Sequence, residues 1–225
     1  MLSFLRAPVP KRTKFAHQSI MLTENGRSSV RFASAPNLVS KQATIAFTLP
    51  PSEAGPNPRD NSFNIPPVHL HPRQEEFFLV TSGNGLFTLD GREIVVPAGE
   101  KIVIPRGGYH RFTNASATAP MTLEAWYDPA DHAREERFFR NLSGYLEDCA
   151  SDGKAVLGNA SLAQLALFCW EADVMLCEPM LALKIPKSIG VPAAVCLTWF
   201  LGVFIGNWML GYKSTYEEYY HKGSD

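Results

Sequence analysis

The stretch His69-Leu70-His71-Pro72-Arg73-Gln74-Glu75-Glu76, followed at fixed intervals by Gly83, Gly99, Pro105, Gly107, His110 and Asn114, decides how the rest of the chain is read. In an extended segment, side chains two residues apart face the same way, so His69 and His71 converge on one point. A carboxylate a few residues later and a third imidazole on a neighbouring strand complete one hemisphere of a coordination shell. Three nitrogens and one oxygen suit Mn²⁺, Fe²⁺, Ni²⁺ or Zn²⁺ and leave positions open for water, dioxygen or substrate. The spacing predicts one metal held inside a small β-barrel.

Outward from the histidines the texture is short apolar runs punctuated by turns. Phe77–Val80 ends at Ser82-Gly83-Asn84-Gly85, and Leu86–Leu89 ends at Asp90-Gly91, a strong two-residue hairpin signal. Glu93–Val96, Lys101–Ile104, Tyr109–Thr113 and Met121–Tyr127 continue the series. Upstream, Ser28–Phe32 and Thr44–Thr48 read as sheet-edge strands, and Pro50–Pro58 as an exposed loop. Strands at this spacing imply an antiparallel sandwich or barrel.

At Asp128 the period changes from two to about 3.6. Asp128 can cap a helix, Pro129 fits its first position, and Asp131 sits where a capping carboxylate belongs. The run to Asp148 puts Phe138, Leu142, Tyr145 and Leu146 on one face, predicting an amphipathic helix packed on the barrel. After a loop marked by Asp152-Gly153 and Gly158-Asn159, Ser161–Leu183 reads as a second helix broken near Pro179. Ser188–Tyr212 has no charged residue and meets the length rule for a membrane span, with Trp208 and Tyr212 at its end and Lys187 and Lys213 bracketing it. Gly202 and Gly206 form a G-x-x-x-G pair suited to close helix contact in lipid. The second reading is an apolar helix buried against the barrel or in a dimer interface. The expected organisation is therefore a segment with edge strands (1–40), a barrel (41–127), a helical extension (128–187), an apolar helix (188–212) and a polar tail (213–225).

Composition narrows the function. At 225 residues and a net charge of −1, with both signs evenly mixed, the chain carries no nucleic-acid footprint. Cys149, Cys169, Cys177 and Cys196 form no C-x-x-C pair and read as buried, reduced thiols of a reducing compartment. Residues 1–10 lack the apolar run of a secretory signal, so the sequons at Asn114, Asn141 and Asn159 are not read as glycan sites. Basic, acid-poor character there suits a mitochondrial presequence, but Pro8 and Pro10 oppose the helix that such a presequence needs. The expected location is the cytoplasm, or a membrane anchored through 188–212 with the barrel facing the cytosol, and not the secreted space. No G-x-G-x-x-G joins a strand to a helix, which argues against NAD or FAD chemistry.

These residues also carry a family resemblance. His69, His71, Glu76 and Gly83 match the spacing of the first cupin motif, and Gly99, Pro105, Gly107, His110 and Asn114 match the second without a gap. Phe63 stands where the first motif begins with glycine. The chain thus resembles a cupin, which implies a mainly β fold, a single double-stranded β-helix or jelly-roll barrel, here with a C-terminal helical extension. The resemblance implies His69, His71, Glu76 and His110 as metal ligands, with Glu75 the rival carboxylate; Glu76 alone leaves six residues before Gly83. Asn114 is expected to tie a turn. Cupins commonly dimerise by sheet packing.

More narrowly, the chain is similar to small cupins of fungal secondary-metabolite gene clusters. The similarity rests on Asp128-Pro129-Ala130-Asp131-His132, Glu171-Ala172-Asp173-Val174, Gly211-Tyr212-Lys213-Ser214 and the Glu218-Tyr219-Tyr220 beyond. It implies an oxidoreductase acting on a polyketide-derived intermediate through iron or manganese. Strand alternation would line its cavity with some of Phe78, Val80, Phe112 and Trp126, walls suited to a flat, apolar substrate. Arg73, Arg106, Tyr109 and Arg111 flank the site and are candidates to meet a carboxylate or phenolate. A non-redox lyase or isomerase using the metal as a Lewis acid, and a membrane-tethered binding or scaffold module, are the alternatives.

Overall fold

The computed structural model describes residues 2–7, 10–35, 37–52, 62–150 and 160–221. Most of the expected Pro50–Pro58 loop, the Asp152–Asn159 loop and the end of the tail lie outside the described residues. Strands β1 (Ile20–Thr23), β2 (Ser28–Phe32), β3 (Ile45–Leu49), β4 (His69–Leu70), β5 (Glu75–Ser82) and β6 (Asn84–Leu89) precede β7 (Arg92–Pro97), β8 (Lys101–Ile104), β9 (His110–Asn114), β10 (Met121–Asp128) and β11 (Met175–Leu176). They form two antiparallel sheets, ordered β1-β2-β3-β10-β5-β8 and β11-β4-β9-β6-β7.

Alternation builds the core. Phe78 and Val80 of β5 point into the space between the sheets, while Phe77 turns outward and stacks on Trp126 at 5.6 Å. The Phe78 ring lies 5.2 Å from both Phe87 and Phe112 of the facing sheet. Turn chemistry sets the register. Asp90 and Gly91 have φ of 51° and 80°, the mirror-image turn that matches strand twist. Gly83 joins β5 to β6 at φ 75°, and a Cβ there would stand 2.8 Å from the Pro120 carbonyl, so only glycine closes this corner.

Helices cover one end. Helix α1 (His132–Ala150) starts one turn later than Pro129, because Asp128 still pairs with Glu75 as the last residue of β10. Its cap is reciprocal: the Asp131 carboxylate accepts from the Arg134 N–H at 3.1 Å, and Glu135 accepts from the Asp131 N–H at 2.8 Å. Phe138, Tyr145 and Leu146 are buried along its inner face.

The single helix expected over Ser161–Leu183 is three pieces. Helix α2 (Leu162–Glu171) stops where Asp173 takes a left-handed conformation at φ 63°. Met175 and Leu176 then pair with β4, and α3 (Glu178–Ala182) carries Pro179 harmlessly in its first turn. Helix α4 (Lys187–Trp199) runs on as a π-helical stretch, Phe200–Met209. This 23-residue run is long and apolar enough to cross a membrane by length and composition. Its glycines contact another helix of the same chain: a Cβ at Gly202 would lie 2.7 Å from the Ala166 backbone, and one at Gly206 2.7 Å from the Ala163 carbonyl, both on α2.

Cys149, Cys169 and Cys177 are buried and outside any disulfide, whereas Cys196 is exposed, contrary to expectation. The buried stripe of α4 passes through Ala194 and Thr198 and leaves Cys196 outside it. Asn114 and Asn141 are buried with their amides hydrogen-bonded, which leaves no surface for a glycan, and Asn159 lies outside the described residues.

Candidate metal centre

Four polar side chains meet where the sheets open toward the helices. His69 and His110 are direct cross-strand partners on β4 and β9, which sets their rings 4.1 Å apart. His71, just past β4, lies 5.2 Å from His69 and 5.4 Å from His110. Glu76 enters from β5 in the other sheet. One ligating atom from each of the four lies within 4.8 Å of all the others, and all four residues are buried. Glu75 alternates away from the cluster and is half-buried. Asn114 donates to the carbonyls of Pro50 and Ala119 at 2.9 and 2.7 Å and accepts from the Ser116 N–H, which ties the turn after β9.

The backbone decides which ring nitrogens face inward. Nδ1 of His69 lies 3.0 Å from the Pro67 carbonyl, that of His71 3.2 Å from the Asp173 carbonyl, and that of His110 3.0 Å from the Gly108 carbonyl. A carbonyl only accepts, so each Nδ1 is the protonated donor and each Nε2 is turned toward the cluster. Nε2 of His110 and of His71 stand 2.7 and 3.3 Å from one oxygen of Glu76, and Nε2 of His71 has no hydrogen-bond partner. Such crowding of lone-pair donors needs a shared cation, either a proton or a metal ion. The fit to one divalent metal is good: three imidazoles oriented through their far nitrogens, one carboxylate, and a buried donor atom aimed at the common centre.

Electrostatics agrees. Burial holds His69 well below the usual imidazole range, helped by the charges of His110 and His71. Burial pushes the Glu76 carboxyl up, but the charge of His71 and the hydrogen bond with His110 outweigh this and hold it well below the usual range. Both groups keep free electron pairs near neutrality.

Two neighbours escaped the sequence reading. Tyr127 is the cross-strand partner of Glu76, so its ring shares the inward face, 5.4 Å from His71. Burial first, and then the Glu76 charge, push its pKa well above the usual phenol value, so it stays protonated. The signal was period two counted from Leu123 and Ala125, which marks Tyr127 as inward. Asp173 is fully buried; its carboxylate accepts from the Arg73 N–H at 2.9 Å and the Arg73 Nε at 2.6 Å, and its carbonyl holds His71. Arg73 is thus committed to Asp173. Arg106 is exposed in its turn, Arg111 is half-buried on the strand face opposite His110, and Tyr109 packs under Gly190 of α4.

Three members of the cluster, His69, His71 and Glu76, line a cavity of about 520 Å³, while His110 is fully buried and does not reach the wall. Of the four residues expected to line it only Phe112 does so; Phe78 and Val80 sit deeper in the core, and Trp126 is on the outer face. Half of the wall is instead helical, including Phe138, Phe139 and Leu142 from α1, Leu162 and Leu165 from α2, and Leu197 from α4. Phe47, Ile65, Val68 and Phe63 complete it. Phe63 is not among the residues of positive φ, so the side chain that replaces the motif glycine fits without strain and becomes wall. The cavity is mainly apolar; its polar lining is His69, His71, Glu76 and Tyr127, with Asn64, Ser143, Glu178 and Thr198 elsewhere.

Known proteins share this plan. The family described as Cupin domain matches residues 61–127, which contain all four clustered residues. Oxidoreductase iacF of Pestalotiopsis fici is 41% identical over 146 residues, 63% of this chain and 69% of that protein. Probable oxidoreductase virH of Hypocrea virens is 30% identical over 169 residues, 73% of this chain and 72% of that one. Probable oxidoreductase yanE of Aspergillus niger is 26% identical over 223 residues, 95% of this chain and 80% of that one. The matched motif region and the extent of these alignments, which run beyond it into the helices, place the chain in the cupin superfamily, among relatives of these fungal oxidoreductases.

Proposed function

We propose that the protein is a metal-dependent oxidoreductase that acts on a small, largely apolar intermediate, aromatic or polyketide-derived, of secondary metabolism. The observation that carries this reading is the convergence of three imidazoles and one carboxylate, two of the imidazoles and the carboxylate lining a mainly apolar cavity. His69, His71, Glu76 and His110 would hold the metal, iron or manganese before nickel or zinc. When bound, it supplies a redox-active Lewis acid with open coordination positions.

The chain's own residues do the rest. The carbonyls of Pro67, Asp173 and Gly108 fix the three rings in one tautomer. Phenylalanine and leucine walls exclude water and favour a flat apolar body, so orientation falls to the polar end of the cavity. There the Tyr127 hydroxyl, kept protonated, donates a hydrogen bond to substrate oxygen as charge builds on it. The names of the relatives support the oxidoreductase class.

Elemental analysis of the purified protein, followed by oxygen electrode measurements with phenolic and enolic substrates, tests the reading. One iron or manganese per chain and substrate-dependent oxygen uptake are expected. Bound zinc with turnover and no oxygen uptake would replace it with a lyase or isomerase. A metal-free protein whose His110→Ala variant is fully functional in cells would leave a binding module.

A further inference from the structure

The apolar run from Lys187 to Met209 has one face accounted for and one that is not. Gly190, Ala194, Thr198, Gly202 and Gly206 recur at every fourth position and are buried; the last two seat the helix on α2. Trp199, Phe200, Phe204, Trp208 and Met209 are exposed. Their rings stack on one another, Phe200 on Phe204 at 5.3 Å and Trp208 against Phe204 and Trp199 at 6.0 Å.

The patch continues onto a second segment. The Leu2 N–H donates to the Met209 carbonyl at 2.6 Å, and the Arg6 guanidinium donates to the carbonyls of Leu210 and Gly211. This holds Phe4 and Leu5 beside the helix end with 78% and 61% of their surfaces exposed. A contiguous group of exposed aromatic and aliphatic side chains of this kind marks a contact surface.

Charge identifies what the surface contacts. The two segments that build it are free of acid: residues 1–23 carry Arg6, Lys11, Arg12 and Lys14, residues 179–216 carry Lys184, Lys187 and Lys213, and neither contains Asp or Glu. Lys187 pairs with Asp90 and Arg12 with Glu218, while Lys11, Lys184 and Lys213 stand exposed. The chain as a whole is at −1, so the remainder is strongly acidic. A second copy docked by the same face would set these cations against their own kind. Anionic headgroups above apolar tails complement both properties at once.

We propose that this face docks on an anionic lipid bilayer, with the helix lying in the interfacial plane and Phe4, Leu5, Phe204 and Trp208 inserted among the headgroups. The cavity opens on the same helical side, since Leu162, Ala182 and Leu197 both line it and are exposed, and Leu197 belongs to the docking helix itself. An apolar substrate dissolved in the membrane would reach the site without crossing water. The docking does not depend on the metal or on the reaction.

Flotation of the full-length protein with vesicles tests this, using phosphatidylcholine alone or three parts phosphatidylcholine to one of phosphatidylserine. The protein is expected to float with the anionic vesicles and more weakly with the neutral ones. Phe204→Ser with Trp208→Ser should lower partition by roughly tenfold or more, while circular dichroism stays that of the parent. Lys184→Glu with Lys213→Glu should remove only the phosphatidylserine-dependent part. If the helix variant misfolds, Phe4→Ser with Leu5→Ser carries the same expectation from a segment outside the core. Absence of flotation with either vesicle overturns the proposal, as does a dimer in light scattering that the same substitutions dissociate. Resistance of the membrane-bound protein to alkaline carbonate also overturns it, because the helix then crosses the bilayer.

Discussion

Replacing Asp173 separates the site's support from its donors. Its carboxylate is 1% exposed and accepts two bonds from Arg73, while its carbonyl fixes the His71 ring. In Asp173→Asn one carboxylate oxygen becomes an NH₂, so only one of the two Arg73 donors keeps a partner. The backbone N–H keeps it, since the guanidinium, 69% exposed, turns to water at little cost. The loss is then mainly charge assistance to a buried bond, about 1–2 kcal/mol. Asparagine tolerates the left-handed backbone at φ 63°. Asp173→Ala adds about 1–2 kcal/mol of left-handed strain and leaves the Arg73 N–H without its acceptor, for a total near 3–4 kcal/mol. Both variants loosen the carbonyl that holds His71, so metal affinity should fall about tenfold in Asp173→Asn and toward 100-fold in Asp173→Ala. Urea melts of the metal-free protein give the first quantity, and competition against a chromogenic chelator gives the second. If Asp173→Ala loses its stability yet binds metal within twofold of the parent, His71 is oriented by something other than this carbonyl and the reasoning fails.

Glu76→Gln should abolish stoichiometric metal while Glu75→Gln retains it, by elemental analysis, because the two side chains leave β5 on opposite faces. Tyr127→Phe should keep the metal and lower kcat/KM at least tenfold for whatever substrate the parent turns over, through loss of one donor to developing negative charge. The metal-free protein should be more stable at neutral than at acid pH. Below 6.5 the unfolded chain protonates His69 while the folded one resists, and below 4.5 the unfolded chain protonates Glu76 first, so both linkages remove stability as pH falls. Urea midpoints that stay flat or rise between pH 7 and 4, once the parent is compared with His69→Ala, would contradict this sign.

Local signals carried most of the two sheets. Asp90-Gly91 specifies a mirror-image turn from two residues alone, and the positive φ of Gly83, Gly99 and Gly107 is a property that the residue type announces. Alternation along β5 similarly separates Glu76 from Glu75. What local signals could not carry is pairing that exists only through tertiary contact. Strands β4 and β11 are two residues each and hold together because Met175–Leu176 is delivered beside His69–Leu70 by the left-handed turn at Asp173. Aspartate is only one of several residue types that tolerate that turn, and nothing local marks its carbonyl for His71. The cavity was misread for a related reason. Alternation says which side chains point inward, but not how far along the strand the core is already filled by Phe78, Phe87 and Phe112 and where free space begins.

The helix from Lys187 to Met209 shows what a composition count discards. Counting apolar residues over a window treats the segment as a uniform cylinder, and on that measure it qualifies as a membrane span. Its residues are arranged by face. Small ones recur every fourth position from Gly190 to Gly206, and at Gly202 and Gly206 they allow the α2 backbone to approach where larger side chains could not. Aromatics occupy the side away from α2. A helix crossing alone has no need to segregate its small residues from its aromatic ones, whereas a helix that packs on its own protein through one side and meets lipid with the other does. Leu197 and Thr198 of the same helix reach the cavity wall. One helix thus carries both an exposed aromatic face and part of the cavity wall.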